Sequence, residues 1–256
     1  MFVRASLKPL PLVLLIDDDL VSREVAATVL TMLGYTVHTA EDGGAALAML
    51  ASGAGGWPAP IKPDVILMDA QMPGLSGVGL IAGLRARTQA RIYVASGSNP
   101  PPEVTAAADG FLLKPFGVET LGKLLECGPP ESVPSLLDSN DPVVSAEILA
   151  QFRKLMPEPA VRKVYEAVVA DLGRRIDALT SAMAKGDAAE VRRIGHAIKG
   201  GCGMAGALEA ARLGALLESA PNSAGDNQLD NRQALLRDLR TAARRLKNML
   251  DAEMPA

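Results

Sequence analysis

The chain has 256 residues, two cysteines and a formal net charge of -3 at pH 7. That length suits two ordinary domains, each with its own core, and the mild charge argues against a nucleic-acid or anionic-membrane partner. Cys127 and Cys202 form neither a disulfide framework nor a metal-binding spacing; buried or incidental reduced thiols fit a cytoplasmic protein.

Apolar residues make up 48% of the chain but aromatic residues only 3%, so Ala, Leu and Val must build most of the core. At the N-terminus, Arg4 and Lys8 precede the apolar run Leu10–Ile16, which mimics a signal peptide. The run is short, contains Pro11 and meets Asp17-Asp18-Asp19 with no small-residue cleavage site. It reads instead as a strand, Leu12–Ile16. No run approaches the ~18 apolar residues of a membrane span, which argues against membrane insertion.

The first half then alternates. Leu20–Leu33 has helical periodicity and stops at Gly34; Tyr35–Ala40 is strand-like and Gly44–Leu50 helical. After a Gly/Pro stretch, Ser52–Pro63, come a strand at Val65–Met68, a helix at Val78–Arg85, strands at Ile92–Ala95 and Phe111–Leu113, and a helix at Val118–Cys127. Strands alternating with helices predict βαβ units and a parallel sheet. The Pro/Ser/Gly-rich residues 128–142 read as a linker. Beyond it strand signals vanish, and amphipathic helices fit Ser145–Leu155, Glu158–Lys185, Ala188–Met204, Ala207–Ser219 and Gln228–Asp251, a pattern for an antiparallel bundle.

In a parallel sheet the carboxyl ends of the strands share one edge. Asp17-Asp18-Asp19, Asp69, Ser96 and Lys114 all follow or end predicted strands, so their side chains can converge there. Clustered carboxylates repel one another and call for a cation, and a hard divalent ion with oxygen ligands fits. An Asp can attack phosphorus to give an acyl phosphate, and transfer then needs mainly positioning and charge neutralisation. Each piece alone also reads as a turn or cap residue.

Together, in this order, they give residues 10–127 a clear resemblance to a response-regulator receiver domain. It rests on Asp17-Asp18, Asp69 with Met72-Pro73-Gly74, Ser96, Phe111 and Lys114-Pro115. The resemblance implies phosphorylation of Asp69, with Mg²⁺ held by Asp17, Asp18, Asp69 and the backbone carbonyl of Gln71. It also implies that Ser96 and Lys114 contact the phosphoryl group, that Phe111 acts as an aromatic switch and that the Lys114–Pro115 bond is cis. Two departures stand out: Ser52–Pro63 resembles an insertion, and the short Ser96-to-Lys114 interval, with Pro100-Pro101-Pro102 inside it, predicts a short fourth helix.

In the second half, Val191, Ile194, Ile198 and Ala205 form an apolar stripe at helical spacing, while Arg192, Arg193, His196, Lys199, Gly200 and Gly203 fall opposite it. His196 therefore points away from the bundle core, with Lys199 one turn on. Glycines in a helix interior each cost roughly 0.5–1 kcal/mol relative to Ala, yet Gly195, Gly200, Gly201 and Gly203 crowd His196. They admit either a partner molecule or a neighbouring helix. Gly201-x-Gly203-x-x-Gly206 formally matches a dinucleotide fingerprint, but it follows no strand and lies inside a helix, where that mechanism fails. His38 is read as an ordinary strand residue.

His196-x-x-Lys199-Gly200, with Gly206 beyond, gives residues 143–252 a resemblance to histidine phosphotransfer (HPt) domains. The expected fold class is thus α/β plus all-α: a flavodoxin-like receiver, its parallel five-stranded sheet in the order 2-1-3-4-5, followed by a four-helix-bundle HPt domain. The resemblance implies that His196 carries a phosphoryl group steadied by Lys199. It points to a cytoplasmic phosphorelay protein with a sensor histidine kinase and a downstream response regulator as partners, and with a possible receiver–HPt contact inside the chain. No ATP-binding kinase pattern or DNA-binding motif is visible. Two rivals stay open: a receiver that gates or sequesters the helical domain without net transfer, and a metal-dependent phosphatase.

Overall fold

The computed structural model describes residues 11–51, 59–97, 100–114, 120–121, 142–220 and 226–254. Five short apolar runs form strands: β1 (Leu12–Ile16), β2 (Thr36–Ala40), β3 (Val65–Asp69), β4 (Arg91–Ser96) and β5 (Gly110–Leu113). All pair in parallel in the order β2-β1-β3-β4-β5, as the sequence reading expects. β1 and β3 are apolar almost throughout because both of their faces are covered. Leu14, Ile16, Ile66, Met68, Ile92 and Val94 pack on one face, where α2 (Gly43–Leu50), α3 (Gly77–Arg85) and α4 (Pro102–Ala107) lie. Val13, Leu15, Leu67, Tyr93 and Leu112 pack on the other face, which α1 (Leu20–Met32) covers.

The fourth helix is only six residues long, as the short interval before Lys114 predicts. Of the predicted helix Val118–Cys127, only residues 120–121 are described, and they are helical. Residues 52–58, the Lys114–Pro115 bond and linker residues 128–141 lie outside the described residues.

The second half is all helix: α5 (Ala146–Leu155), α6 (Glu158–Ala184), α7 (Ala188–Met204), α8 (Leu208–Ser219) and α9 (Asp226–Glu253). Helices α6 to α9 contact one another in a closed ring, α6 with α7, α7 with α8, α8 with α9 and α9 with α6. Short turns at Gly186 and Gly206, both with positive φ, join the first three; consecutive packed helices with such turns run antiparallel. Polar caps start several helices: Asp19 on α1, Asp42 on α2, Ser145 on α5 and Asp187 on α7 each accept from a first-turn backbone N–H. No described helix is long and apolar enough to cross a membrane.

The two halves share one core. The apolar cluster on the α1 side of the sheet continues without a break into the bundle through Ile148, Leu172, Ile198 and their neighbours. Helix α1 supplies the bridge, touching α5, α6 and α7. Burying an aliphatic side chain contributes about 1.5–3 kcal/mol, so Val21, Val25 and Val29 of α1, all buried, make this junction more than a polar rim contact.

Candidate phosphotransfer site

Strand register builds the acidic half of the site. Ile16 lies opposite Met68 and Asp69 opposite Ala95, so Asp17 and Asp69 leave adjacent strands side by side. Asp17, Asp18 and Asp69 present carboxylate oxygens within 4.8 Å of one another. Ser96 ends β4, buried, and its carbonyl accepts from the Lys114 backbone N–H at 2.6 Å. That bond turns Lys114 inward at the end of β5. Its ammonium donates to Asp69 Oδ2 at 2.7 Å and Asp17 Oδ2 at 2.8 Å. Burial alone would lower the Lys114 pKa, but the Asp17 and Asp69 carboxylates outweigh it and raise the pKa, so Lys114 is a permanent cation.

One ammonium facing three carboxylates leaves the pocket strongly negative. Partial burial and the charges of Asp17 and Asp69 accordingly push the Asp18 carboxyl above its usual range. This all-oxygen set with excess negative charge fits a hard divalent cation such as Mg²⁺. The Gln71 backbone N–H donates to Asp69 Oδ1 at 2.9 Å, and Gln71 lines the same cleft. Phe111 is partly buried against the sheet face that carries Val94. Ser22, which the sequence reading passes over, hydrogen-bonds Asp17 Oδ2 through Oγ at 2.8 Å and holds the ligand cluster from α1.

The helical half of the site faces this pocket. A cleft of about 490 Å³ is lined by Asp18, Asp69, Gln71 and Lys114 on one side and by Arg192, Arg193, His196 and Gly200 on the other. His196 leaves the bundle core as its periodicity predicts, but it meets the chain's own α/β half rather than open solvent, and its side chain is 22% exposed. Gly200 has no atom near its missing Cβ and leaves space beside the imidazole. Arg193 pairs with Glu190 at 2.7 Å.

Two residues of the expected His196 face behave differently. Gly203 is buried and does not line the cleft; two residues earlier, α1 closes over another face of α7, where a Cβ at Gly201 would touch Asp19 and Val21. Lys199 does not line the cleft either. Its ammonium bridges the backbone oxygen of Gly97 at 2.7 Å and Glu218 Oε2 at 3.1 Å, so it ties the bundle to the segment just after β4.

Glu218 is the group that the sequence reading missed. It accepts from His196 Nδ1 at 2.8 Å. Helices α7 and α8 approach closely enough for this bond because Gly195 and Gly214 face each other: a Cβ on Gly195 would lie 2.8 Å from Gly214 O and 2.7 Å from Glu218 N. With Nδ1–H committed to the carboxylate, Nε2 carries the lone pair, and Nε2 has no hydrogen bond among the described residues. The pairing also favours positive charge developing on the ring, as a carboxylate beside an imidazole does in hydrolase triads.

Comparison with known proteins agrees with this division. A family model described as the response regulator receiver domain matches residues 13–126, and one described as the Hpt domain matches residues 163–253. The sensor histidine kinase AruS of Pseudomonas aeruginosa is 30% identical over 224 residues, 83% of this chain but 21% of that protein. The response regulator MprA of Mycobacterium tuberculosis is 32% identical over 158 residues, 59% of this chain and 62% of that protein. The chain therefore spans about a fifth of the first relative and less than two thirds of the second. Among solved structures, the Vibrio cholerae chemotaxis protein CheY4 is 31% identical and covers 46% of this chain and 97% of its own, with a TM-score of 0.40. The chain joins a response regulator receiver domain to an Hpt domain, and so belongs among the proteins of two-component phosphorelay signalling.

Proposed function

We propose that this chain is a cytoplasmic phosphorelay intermediate that takes phosphoryl groups on Asp69 and His196, moving them between a sensor histidine kinase and a downstream response regulator. The observation that carries the reading is the state of the two acceptors. Asp69 sits against a permanently charged Lys114 in an acidic pocket, while His196 presents Nε2 to a cleft with Nδ1 held by Glu218. Asp17, Asp18, Asp69 and the Gln71 carbonyl would hold Mg²⁺, which would neutralise the oxygens of a phosphoryl group on Asp69. Lys114 neutralises the same charge from the protein side, and Ser96 is assigned a hydroxyl contact to that group. Slow self-dephosphorylation of Asp69 is the one hydrolytic activity we assign.

Phosphate from a cognate kinase tests this directly. The wild-type chain should take two kinds of label, one alkali-labile and hydroxylamine-sensitive on Asp69, the other alkali-stable on His196. Asp69→Ala should remove the first acceptor and His196→Ala the second; labelling untouched by either change rules out both assignments. A gating role without net transfer is favoured by one feature, the bundle's hold on the segment after β4 through Lys199 and Gly97. It predicts that both sites take label but never exchange it.

A further inference from the structure

The run Asp17-Asp18-Asp19 supplies three carboxylates, yet only Asp17 and Asp18 join Asp69 in the cluster that fits a divalent cation. Asp19 lines the same cleft and stays out of that cluster. We infer that Arg175, on the helical half, sets the cation preference of the pocket: it holds the Asp19 carboxylate away from the cluster, so that the site keeps three carboxylates and favours Mg²⁺ over Ca²⁺. The inference rests on the reading above that the pocket holds a divalent cation.

The contacts of Asp19 carry it. Oδ1 caps α1, accepting from Ser22 N at 2.7 Å, and the cap needs no second oxygen. Oδ2 turns instead to the Arg175 guanidinium of α6, in an ion pair that joins the two halves of the chain. The pair is largely enclosed, with side chains 11% exposed for Asp19 and 17% for Arg175. Arg175 is itself pinned by Asp171 on its own helix, and Gly201 of α7 leaves room for the Asp19 carboxylate beside it. Beneath the pair, Val21 and Val25 are buried in the core that both halves share, which fixes α1 against the bundle. Asp19 also stands next to the cluster through its backbone, since its N–H donates to Asp17 Oδ1 at 2.9 Å.

Ligand count decides between the two ions. Ca²⁺ takes about six to eight oxygen ligands in a flexible shell, whereas Mg²⁺ demands a tight octahedron and keeps several waters beside one or two carboxylates. A fourth carboxylate at the cluster therefore favours Ca²⁺. Removing Arg175 leaves the enclosed Asp19 carboxylate without its counter-charge, which is costly. A divalent ion in the cleft that Asp19 already lines is an available replacement. Arg175 thus acts through Asp19, as a positioning residue.

Competition for Mn²⁺ tests this on the full chain. Binding removes the paramagnetic resonance signal of free Mn²⁺, displacement by Mg²⁺ or Ca²⁺ restores it, and Asp69→Ala identifies the share that belongs to the pocket. Arg175→Ala should raise the affinity for Ca²⁺ relative to Mg²⁺ on the order of tenfold, since ligand charge tunes Ca²⁺ sites over several decades. Arg175→Lys keeps a cation opposite Asp19 and should keep the wild-type preference. Asp19→Asn, alone or combined with Arg175→Ala, should keep it too, because no carboxylate is released. Should Arg175→Ala melt below the assay temperature, Arg175→Gln retains a hydrogen-bond donor without the charge and should shift the preference in the same direction. An unchanged preference in the folded neutral variant overturns the inference. So does a shift that persists in the double variant, which would assign the effect to the charge of the guanidinium alone. Both outcomes leave the phosphorelay reading standing. Absence of any Mn²⁺ binding sensitive to Asp69→Ala removes the cation site itself and this inference with it.

Discussion

Glu218→Ala isolates what orients the histidine. The substitution deletes the acceptor of the 2.8 Å bond from His196 Nδ1 and of the 3.1 Å bond from Lys199. A hydrogen bond to a charged group contributes about 1.5–3 kcal/mol, and the side chain of Glu218 is 26% exposed, which favours the lower end. About 1.5 kcal/mol is roughly tenfold in rate. Loss of the fixed tautomer adds to this, so transfer onto His196 should slow by roughly ten- to a hundredfold. Glu218→Gln keeps an acceptor for Nδ1–H but no charge, and should fall between wild type and Ala. The assay is the initial rate of alkali-stable labelling, measured beside the melting temperature so that unfolding is seen separately. Wild-type rates in Glu218→Ala would refute the orienting role; equal losses in Gln and Ala would assign the effect to charge alone.

The same residue predicts a pH dependence. Partial burial alone would raise the Glu218 carboxyl, but the hydrogen bonds from His196 and Lys199 outweigh it and hold it below its usual range. A carboxylate so depressed stabilises the folded state above its unfolded pKa and loses that contribution as pH falls through the lower folded value. The stability difference between wild type and Glu218→Gln should be full above about pH 5 and vanish in stronger acid, as read by denaturant melts. Arg175→Ala and Asp19→Asn should each slow exchange between Asp69 and His196, and the double variant should lose little more than either; Asn is chosen because it still caps α1. Additive losses would show that the two residues act separately. Gly195→Ala drives a Cβ against the backbone of α8 and should destabilise the bundle by about 1–3 kcal/mol while separating Glu218 from His196; an unchanged melting temperature would contradict the close helix crossing. Burial pushes the Cys202 thiol up to about 12, so it should resist thiol reagents at neutral pH in the native chain and react on unfolding.

The acidic pocket was legible in sequence because its parts are local and directional. Each chemical residue follows a short apolar run, and parallel strands deliver all such ends to one edge. The short α4 was legible for a similar reason, as prolines and a short interval leave no room for more. Helical periodicity likewise showed which face of α7 leaves the bundle core. It could not show what covers that face: Gly203 shares the angular position of His196, yet it is buried. Glu218, Arg175 and Ser22 were missed because their partners are brought by tertiary packing. Asp19 and Arg175 stand 156 positions apart, and the triplet Asp17-Asp18-Asp19 reads as a single cluster until the third carboxylate is seen turning to another helix. Gly195 and Gly214 did carry a signal, since paired small residues on successive helices mark a close crossing, and the residue one turn beyond Gly214 is Glu218.

The central claim, that Asp69 and His196 belong to one relay, is tested most directly by a chase. Asp69 is loaded from acetyl phosphate, the donor is removed, and both kinds of label are followed in the wild-type chain. The account predicts that alkali-labile label on Asp69 falls as alkali-stable label on His196 rises, with one shared rate constant. Decay of the Asp69 label to inorganic phosphate, with none reaching His196, would contradict it.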